Sequence, residues 1–187
     1  MKHLLALLLL VATLALAPRA EAFSLFLEPA SLDIPVGKAA EYTLKVTDIT
    51  EPFTYSLFVS FDFAVLKYLS VNYLGSQNNT STFEDLADMG LVGLSGDWIE
   101  SSPPDGINLA VLTFIGSGLG TSEILILNDP DDPQNFFNPY FTDDNATPFD
   151  LDSITNAQAN VVPEPSTLLL LGAGFAALGA AARRRRG

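Results

Sequence analysis

The chain has 187 residues, no cysteine and one histidine, and its formal net charge is −13. The lack of cysteine excludes disulfides, thiolate metal sites and cysteine nucleophiles. Residues 23–162 contain 20 acidic and three basic residues, a net charge of −17, which repels a phosphate backbone and excludes nucleic acid as a partner. His3 lies in a segment that we expect to be removed, so a Ser-His-Asp triad and histidine-ligated zinc or iron sites are excluded as well.

The N-terminus has the three parts of a secretory signal peptide. Lys2 and His3 precede an apolar run over residues 4–17, and Ala20-Glu21-Ala22 follows. A positive start, an apolar centre of about 7–15 residues and a small-x-small cleavage site define such a peptide. We predict a signal peptide over residues 1–22 with cleavage after Ala22. The alternative is an uncleaved N-terminal anchor.

Short stretches of the central domain, residues 23–161, alternate between apolar and polar residues, which predicts β-strands. In residues 41–48, for example, Tyr42, Leu44 and Val46 share one face. The alternation shifts by one residue within 66–73, which indicates a β-bulge. The predicted strands are residues 24–27, 32–36, 41–48, 53–62, 66–73, 109–115, 124–127 and 157–162.

Turn residues separate these strands, as at 35–37, 75–79, 103–106 and 116–120. The only helix candidates in this domain are a single turn at residues 63–66 and a weaker one at 82–89. Several short strands between turns predict an all-β domain, an antiparallel β-sandwich or jelly roll. Its predicted core residues are Tyr42, Leu44, Val46, Tyr55, Leu57, Val59, Phe61, Val111 and Phe114.

Two segments of the central domain resemble cohesin-like domains. They are residues 57–71 and residues 109–114, the latter followed by Gly120-Thr121-Ser122 and a strand. Phe63 stands where that family usually has proline. The resemblance implies a cohesin-like sandwich over about residues 24–161, a fold found in dockerin receptors and in relatives of carbohydrate-binding modules. No position matches a dockerin-binding motif, and a fold does not fix a function.

The C-terminus combines a proline motif, an apolar run and a basic tail. The apolar run, residues 168–182, has 15 residues, which span only about 22 Å as a helix against about 30 Å for a hydrocarbon core. The basic tail keeps the C-terminus cytoplasmic and the preceding domain outside, in agreement with the signal peptide. The motif is Val162, Pro163, Glu164, Pro165, Ser166 and Thr167, and the tail is Arg183, Arg184, Arg185 and Arg186.

This arrangement over residues 162–187 resembles the PEP-CTERM sorting signal, with a Pro-Glu-Pro motif, a short apolar transmembrane helix and a basic tail in that order. The resemblance implies a Gram-negative bacterial host and an exosortase, a membrane-embedded cysteine protease, as partner. It also implies association with exopolysaccharide, with biofilm matrix and with the outer envelope. The alternative is an ordinary single-pass membrane anchor.

Acidic residues are densest between residues 129 and 152. Calcium takes six to eight oxygen ligands, and Asp-x-Asp in a loop supplies such ligands. The spacing is not that of an EF-hand, because the loop glycine and the distal glutamate are missing. The stretch is therefore interpreted either as a calcium site or as a solvated acidic loop. The candidate ligands are Asp129, Asp131, Asp132, Asp143 and Asp144.

Trp98, the only tryptophan, is flanked by Asp97 and Glu100. An exposed ring beside carboxylates is typical of a sugar-stacking platform, whereas a lone tryptophan in a sandwich is more often part of the core. Paired carboxylates carry no specificity for glycoside hydrolysis here, because some pair among 20 acids will always lie at the required spacing.

The sequence thus predicts a non-catalytic exported protein of the envelope or extracellular matrix. Its predicted partners are an exosortase, the membrane and polysaccharide. We predict no cofactor other than the calcium considered above. The alternative functions are a carbohydrate-binding module and a calcium-dependent adhesin.

Overall fold

A computed structural model describes residues 22–49, 51–100, 106–128, 138–164, 166 and 169–175. These residues form twelve β-strands, one 3-10 turn, Ala87–Met89, and a short helix over residues 169–175. The strands are β1 (Ala22–Glu28), β2 (Ser31–Pro35), β3 (Ala39–Thr47), β4 (Phe53–Phe61), β5 (Leu66–Tyr73), β6 (Gln77–Phe83), β7 (Leu91–Trp98), β8 (Ile107–Gly116), β9 (Gly120–Ile126), β10 (Tyr140–Thr142), β11 (Asp150–Thr155) and β12 (Ala157–Val162).

The strands build two sheets that pack face to face as a β-sandwich. The five-stranded sheet has the order β11-β1-β3-β8-β5, and the seven-stranded sheet has the order β2-β12-β9-β4-β7-β6 with β10 beside β4. Strand β4 pairs with β10 along its first half and with β9 along its last three residues. The predicted all-β sandwich is confirmed.

Two pairs of strands depart from the predicted antiparallel arrangement. Strand β1 pairs in parallel with β11, and β2 pairs in parallel with β12. Parallel neighbours need a long connection between them, and here each pair joins a strand from the start of the domain to one from its end. The parallel pairs therefore arise because the first two strands of the domain lie beside its last two strands at the edges of the sheets.

The core between the sheets consists of the inward-facing residues of both. The predicted core is confirmed at every position except Val111, which is only half-buried. On β8 the buried positions include Leu112 and Phe114, so Val111 faces outward. Thr113 is the only polar residue in the run 109–115, so the sequence hardly shows which residues face the core. An error of one residue in this assignment exchanges the inward and outward faces of the strand.

The eight predicted strands all occur, as β1 to β5, β8, β9 and β12. The bulge predicted within residues 66–73 is confirmed, since the pairing of β5 with β8 shifts between Tyr68 and Ser70. Strands β6, β7, β10 and β11 are not among the predicted strands, and residues 77–79, which begin β6, lie in a predicted turn. The turn at 63–66 is confirmed by a 2.8 Å hydrogen bond from the Leu66 amide to the Asp62 carbonyl.

Strand β1 begins at Ala22, the predicted cleavage position. Phe23 is already buried, with its ring centroid 4.3 Å from that of Phe141. The predicted signal peptide, apart from Ala22, lies outside the described residues. Cleavage after Ala22 would leave β1 intact except for its first residue, Ala22, which is exposed.

Candidate functional site

Strand β12 leads directly into the predicted sorting motif. Its last residue, Val162, pairs with Pro35 of β2, and the Val36 amide donates a 3.0 Å hydrogen bond to the Val162 carbonyl. Pro163 follows at once. Because proline has no N–H to donate, it ends the ladder at this point. The motif therefore starts flush with the folded domain, without a linker.

The residues Pro163 and Glu164 of the motif line an open cleft of about 450 Å³, whose other walls are Val36, Ser117 and Leu119. Glu164 has two polar neighbours there. Its Oε1 lies 3.9 Å from the Nζ of Lys38, and its Oε2 accepts a 3.3 Å hydrogen bond from the Ser166 hydroxyl. Both members of the ion pair are exposed, so the pair contributes less than about 1 kcal/mol. It orients the Glu164 side chain rather than stabilising the fold.

Several turns meet around this cleft and form what we call the motif end of the sandwich. The Ser117 and Gly118 amides donate to the Val65 carbonyl at 2.9 and 3.1 Å, and the Phe61 amide donates to the Gly90 carbonyl at 2.9 Å. Gly118 is required at this position, since a Cβ there would lie 2.2 Å from the Ala64 carbonyl oxygen. The motif end consists of the turns 36–38 and 62–65, the pair Met89-Gly90, the loop 117–119 and Pro163.

The sequence predicts the motif but not the residues that surround it in the structure. Val36, Lys38 and Leu119 carry no motif of their own. The sequence predicts turns at 35–37 and 116–120, but only the order of the strands in the sheets brings these two turns together. The only signals in the sequence are the glycines of these two turns and Leu119, an apolar residue within the second turn.

Beyond Glu164, the structure describes Ser166 and a short helix over residues 169–175, whose side chains are exposed. Pro165, Thr167 and Leu168 lie outside the described residues, as does the tail Arg183 to Arg186. No helix in the described part of the chain has the length and apolar character needed to cross a bilayer.

Trp98 lies in the core, with 8% of its surface exposed. Its ring stacks against Phe53, with centroids 6.4 Å apart and an interplanar angle of 13°, and also packs on the backbone of Gly75. Its Nε1 has no hydrogen-bond partner within the described residues. Sugar stacking needs an exposed ring face, so this position favours the core interpretation of Trp98.

Asp143 organises the loop between β10 and β11. Its Oδ1 accepts hydrogen bonds from the backbone amides of Thr147 at 2.7 Å and Asn145 at 2.9 Å. These bonds, that of Thr147 above all, hold the pKa of Asp143 below its usual value. The carboxylate thus closes a turn of the kind that aspartate commonly forms with its own backbone.

The predicted calcium ligands fall into two groups. Asp143 and Asp144 belong to the loop just described, whereas Asp129, Asp131 and Asp132 lie outside the described residues. Within the residues that the structure describes, no three or more histidine, cysteine or acidic side chains converge as a metal site would require. The calcium site stays a prediction from the sequence.

Comparison with known protein families identifies the C-terminal segment. A family model for the PEP-CTERM protein-sorting motif matches residues 161–186. Residues 161–186 are a PEP-CTERM sorting motif. This confirms the sequence prediction for that segment, and the match begins within β12, one residue before the strand ends. No curated protein matches the chain significantly.

Solved structures identify the fold of the domain. The sixth cohesin of scaffoldin B from Acetivibrio cellulolyticus, solved with a Cel5 dockerin mutant, matches with a TM-score of 0.58 and 17% identity over 75% of this chain and 99% of the cohesin. A cohesin from Clostridium acetobutylicum matches with a TM-score of 0.58 and 14% identity over 77% of this chain and 93% of its own.

A non-cellulosomal cohesin from the archaeon Archaeoglobus fulgidus matches as well, with a TM-score of 0.56 and 11% identity over 78% of this chain and 95% of its own. At these identities the likeness establishes the fold and nothing further. The predicted cohesin-like sandwich is confirmed.

Proposed function

We propose that the protein is an exported, non-catalytic binding module that an exosortase sorts to the outer envelope or extracellular matrix of a Gram-negative bacterium. The observation that carries the proposal is the direct junction of a PEP-CTERM motif to the last strand of a cohesin-like sandwich. The predicted signal peptide and the arginine tail give the same topology, with the domain outside the cytoplasmic membrane.

In this proposal the apolar run holds the precursor in the inner membrane until the exosortase acts. Cleavage within residues 163–167 releases the sandwich without disturbing its fold, because β12 ends at Val162. Pro163 and Glu164 line the cleft at the motif end, and Glu164 lies 3.9 Å from Lys38, so the start of the motif is presented at the surface of the domain.

The binding role of the sandwich is supported by the cohesins that share its fold, several of which were solved in complex with dockerins. We infer a protein or polysaccharide partner in the surrounding matrix. The exclusion of histidine and cysteine chemistry from residues 23–162 supports a non-catalytic role.

The test is to express the full chain in a host with and without its exosortase and to measure intact mass and cell fraction. The expected product with exosortase ends near residues 163–167 and lies in the outer envelope or medium. Without exosortase the chain should retain Arg186 and stay in the inner membrane. Retention of Arg186 in both hosts would overturn the proposal.

Two variants make the test specific to the motif. Replacing Pro163, Glu164 and Pro165 by alanine should give the unprocessed mass even when exosortase is present. Replacing Pro103, Pro104 and Asp105 by alanine changes a similar triplet elsewhere in the chain and should leave processing unchanged. Equal processing of both variants would show that the motif is not recognised.

A further inference from the structure

Three large apolar side chains are exposed together at the motif end. Phe63 is 60% exposed, Met89 is 65% exposed and Leu119 is 62% exposed. They come from three separate parts of the chain: the turn after β4, the 3-10 turn before β7 and the loop after β8. Exposed apolar residues that occur singly need no explanation, whereas a group of them marks a contact surface.

The contacts between these turns make the three residues one surface. The Phe63 ring lies over Gly90, since a Cβ added to Gly90 would lie 3.6 Å from the Phe63 Cδ1, and Met89 is the residue before that glycine. On the other side, Gly118 packs on the Ala64 carbonyl, and Leu119 lines the cleft with Pro163. The apolar surface therefore runs from Met89 to the start of the sorting motif.

The length of the chain beyond this surface identifies what it faces. Only five residues, 163–167, separate the end of β12 from the apolar run that begins at Leu168. Five extended residues span at most about 18 Å. Pro163 and Glu164 line the cleft at the motif end, so only residues 165–167 of the sequence lie between that cleft and the apolar run. A membrane that holds the apolar run must then lie next to the motif end.

We propose that the motif end docks on the lipid bilayer in the precursor, with Phe63, Met89 and Leu119 entering the interfacial region. The inference rests on the proposed function, since it requires the apolar run to be in the membrane. Apolar and aromatic side chains at the lipid–water boundary bind through buried area. The turns of the motif end carry both signs of charge, Lys38 and Asp62, so we assign the contact to the apolar residues.

Docking would hold the scissile region at a fixed height above the bilayer. An exosortase lies in the same membrane, so a docked domain presents residues 163–167 at the level of the enzyme. The surface thus acts as a positioning device for processing.

The test uses the full chain reconstituted in phosphatidylcholine vesicles that contain a spin-labelled lipid quencher near the headgroup. Because the chain has no cysteine, a single Ser117→Cys carries a fluorophore at the motif end. Glu51→Cys, at the opposite end of β4, is the matched control. Flotation with the vesicles reports insertion of the apolar run, independently of the fluorophore.

We expect the fluorophore at position 117 to be quenched and that at position 51 to remain unquenched, at low salt and at high salt alike. Adding F63S, M89S and L119S should reduce quenching at position 117 by about threefold or more while flotation persists. The three side chains are exposed, so the fold should survive, and Trp98 emission checks that it does.

Flotation with equal quenching at positions 117 and 51, or quenching that the triple variant leaves unchanged, would overturn the docking inference and leave the proposed function standing. Failure of the chain to float would overturn both, because the apolar run would then not be a membrane anchor.

Discussion

The hydroxyl of Tyr42 donates a 3.0 Å hydrogen bond to the backbone carbonyl of Gln158 and so ties the two sheets together. Tyr42 belongs to β3 of the five-stranded sheet, and Gln158 belongs to β12, the strand that carries the sorting motif. The ring of Tyr42 is fully buried and meets Phe114 edge to face at 6.1 Å. The strand before the motif is thus held by the core as well as by its neighbours.

Removing this hydroxyl should weaken the domain. We expect Tyr42→Phe to lower the free energy of unfolding by about 1 kcal/mol, because the hydrogen bond to the Gln158 carbonyl is lost. Urea denaturation checks this. Tyr140→Phe is the control, since Tyr140 is half-exposed and should tolerate the change. Equal losses in the two variants would contradict a special role for Tyr42.

The buried tyrosines predict a loss of stability at alkaline pH. Burial raises the pKa of Tyr42 to about 12 and also raises the pKa values of Tyr55 and Tyr68. An unfolded chain ionises its tyrosines near pH 10, so above that pH it binds fewer protons than the folded chain. The contribution of these tyrosines to the free energy of unfolding is therefore fully present below about pH 10, and it is lost as pH rises through their folded-state pKa values.

Urea midpoints at pH 8, 10 and 11 measure this effect. We expect the free energy of unfolding to fall between pH 10 and 11, and to fall less in Tyr42→Phe than in the unmodified chain. A flat profile over that interval would show that the folded state ionises these tyrosines as readily as the unfolded chain does.

The sequence predicts those strands in which apolar and polar residues alternate, and it does not predict strands that lack this alternation. Strands β3 and β4 have clean period-two patterns, and their predicted bounds agree with the structure to within two residues. Strand β6 starts with Gln77-Asn78-Asn79-Thr80, which indicates a turn, yet it forms the edge of a sheet with a bulge at Asn79, whose φ is +50°. An edge strand with exposed residues on both faces has no hydrophobic pattern to detect.

The candidate site divides in the same way. The sorting motif is one continuous segment whose parts follow in a fixed order, so the sequence alone is enough to identify it. The motif end is assembled from turns that are far apart in the chain, and only the strand order brings Phe63, Met89 and Leu119 together. At Trp98 the sequence leaves two interpretations open, because composition cannot tell an exposed ring from one buried against Phe53 and Gly75; the structure favours the core interpretation.

Asp143 predicts a loss of stability in acid. Hydrogen bonds from Thr147 and Asn145 lower its pKa in the folded state, so its contribution is present above the unfolded value, near 3.9, and is lost as pH falls through the folded value. Asp143→Ala should melt at a lower temperature than the unmodified chain at pH 7. That difference should disappear near pH 2.

Asp144→Ala is the matched control, because it removes the same charge from an exposed neighbour in the same loop. Its melting temperature should stay close to that of the unmodified chain at both pH values. If the two variants behaved alike, general charge repulsion in an acidic protein would explain the effect instead of the Asp143 turn.

Gly75 and Trp98 provide the sharpest test of the core. Gly75 has a φ of +70°, and a Cβ at this position would lie 2.4 Å from Cη2 of the Trp98 ring. Gly37 has a similar φ of +78° but no atom within 4 Å of that position. Gly75→Ala should cost about 2 to 4 kcal/mol, from backbone strain and overpacking together, whereas Gly37→Ala should cost about 1 kcal/mol from strain alone. Urea denaturation followed by the emission of Trp98 measures both variants, and equal costs would mean that the Trp98 ring does not rest on Gly75.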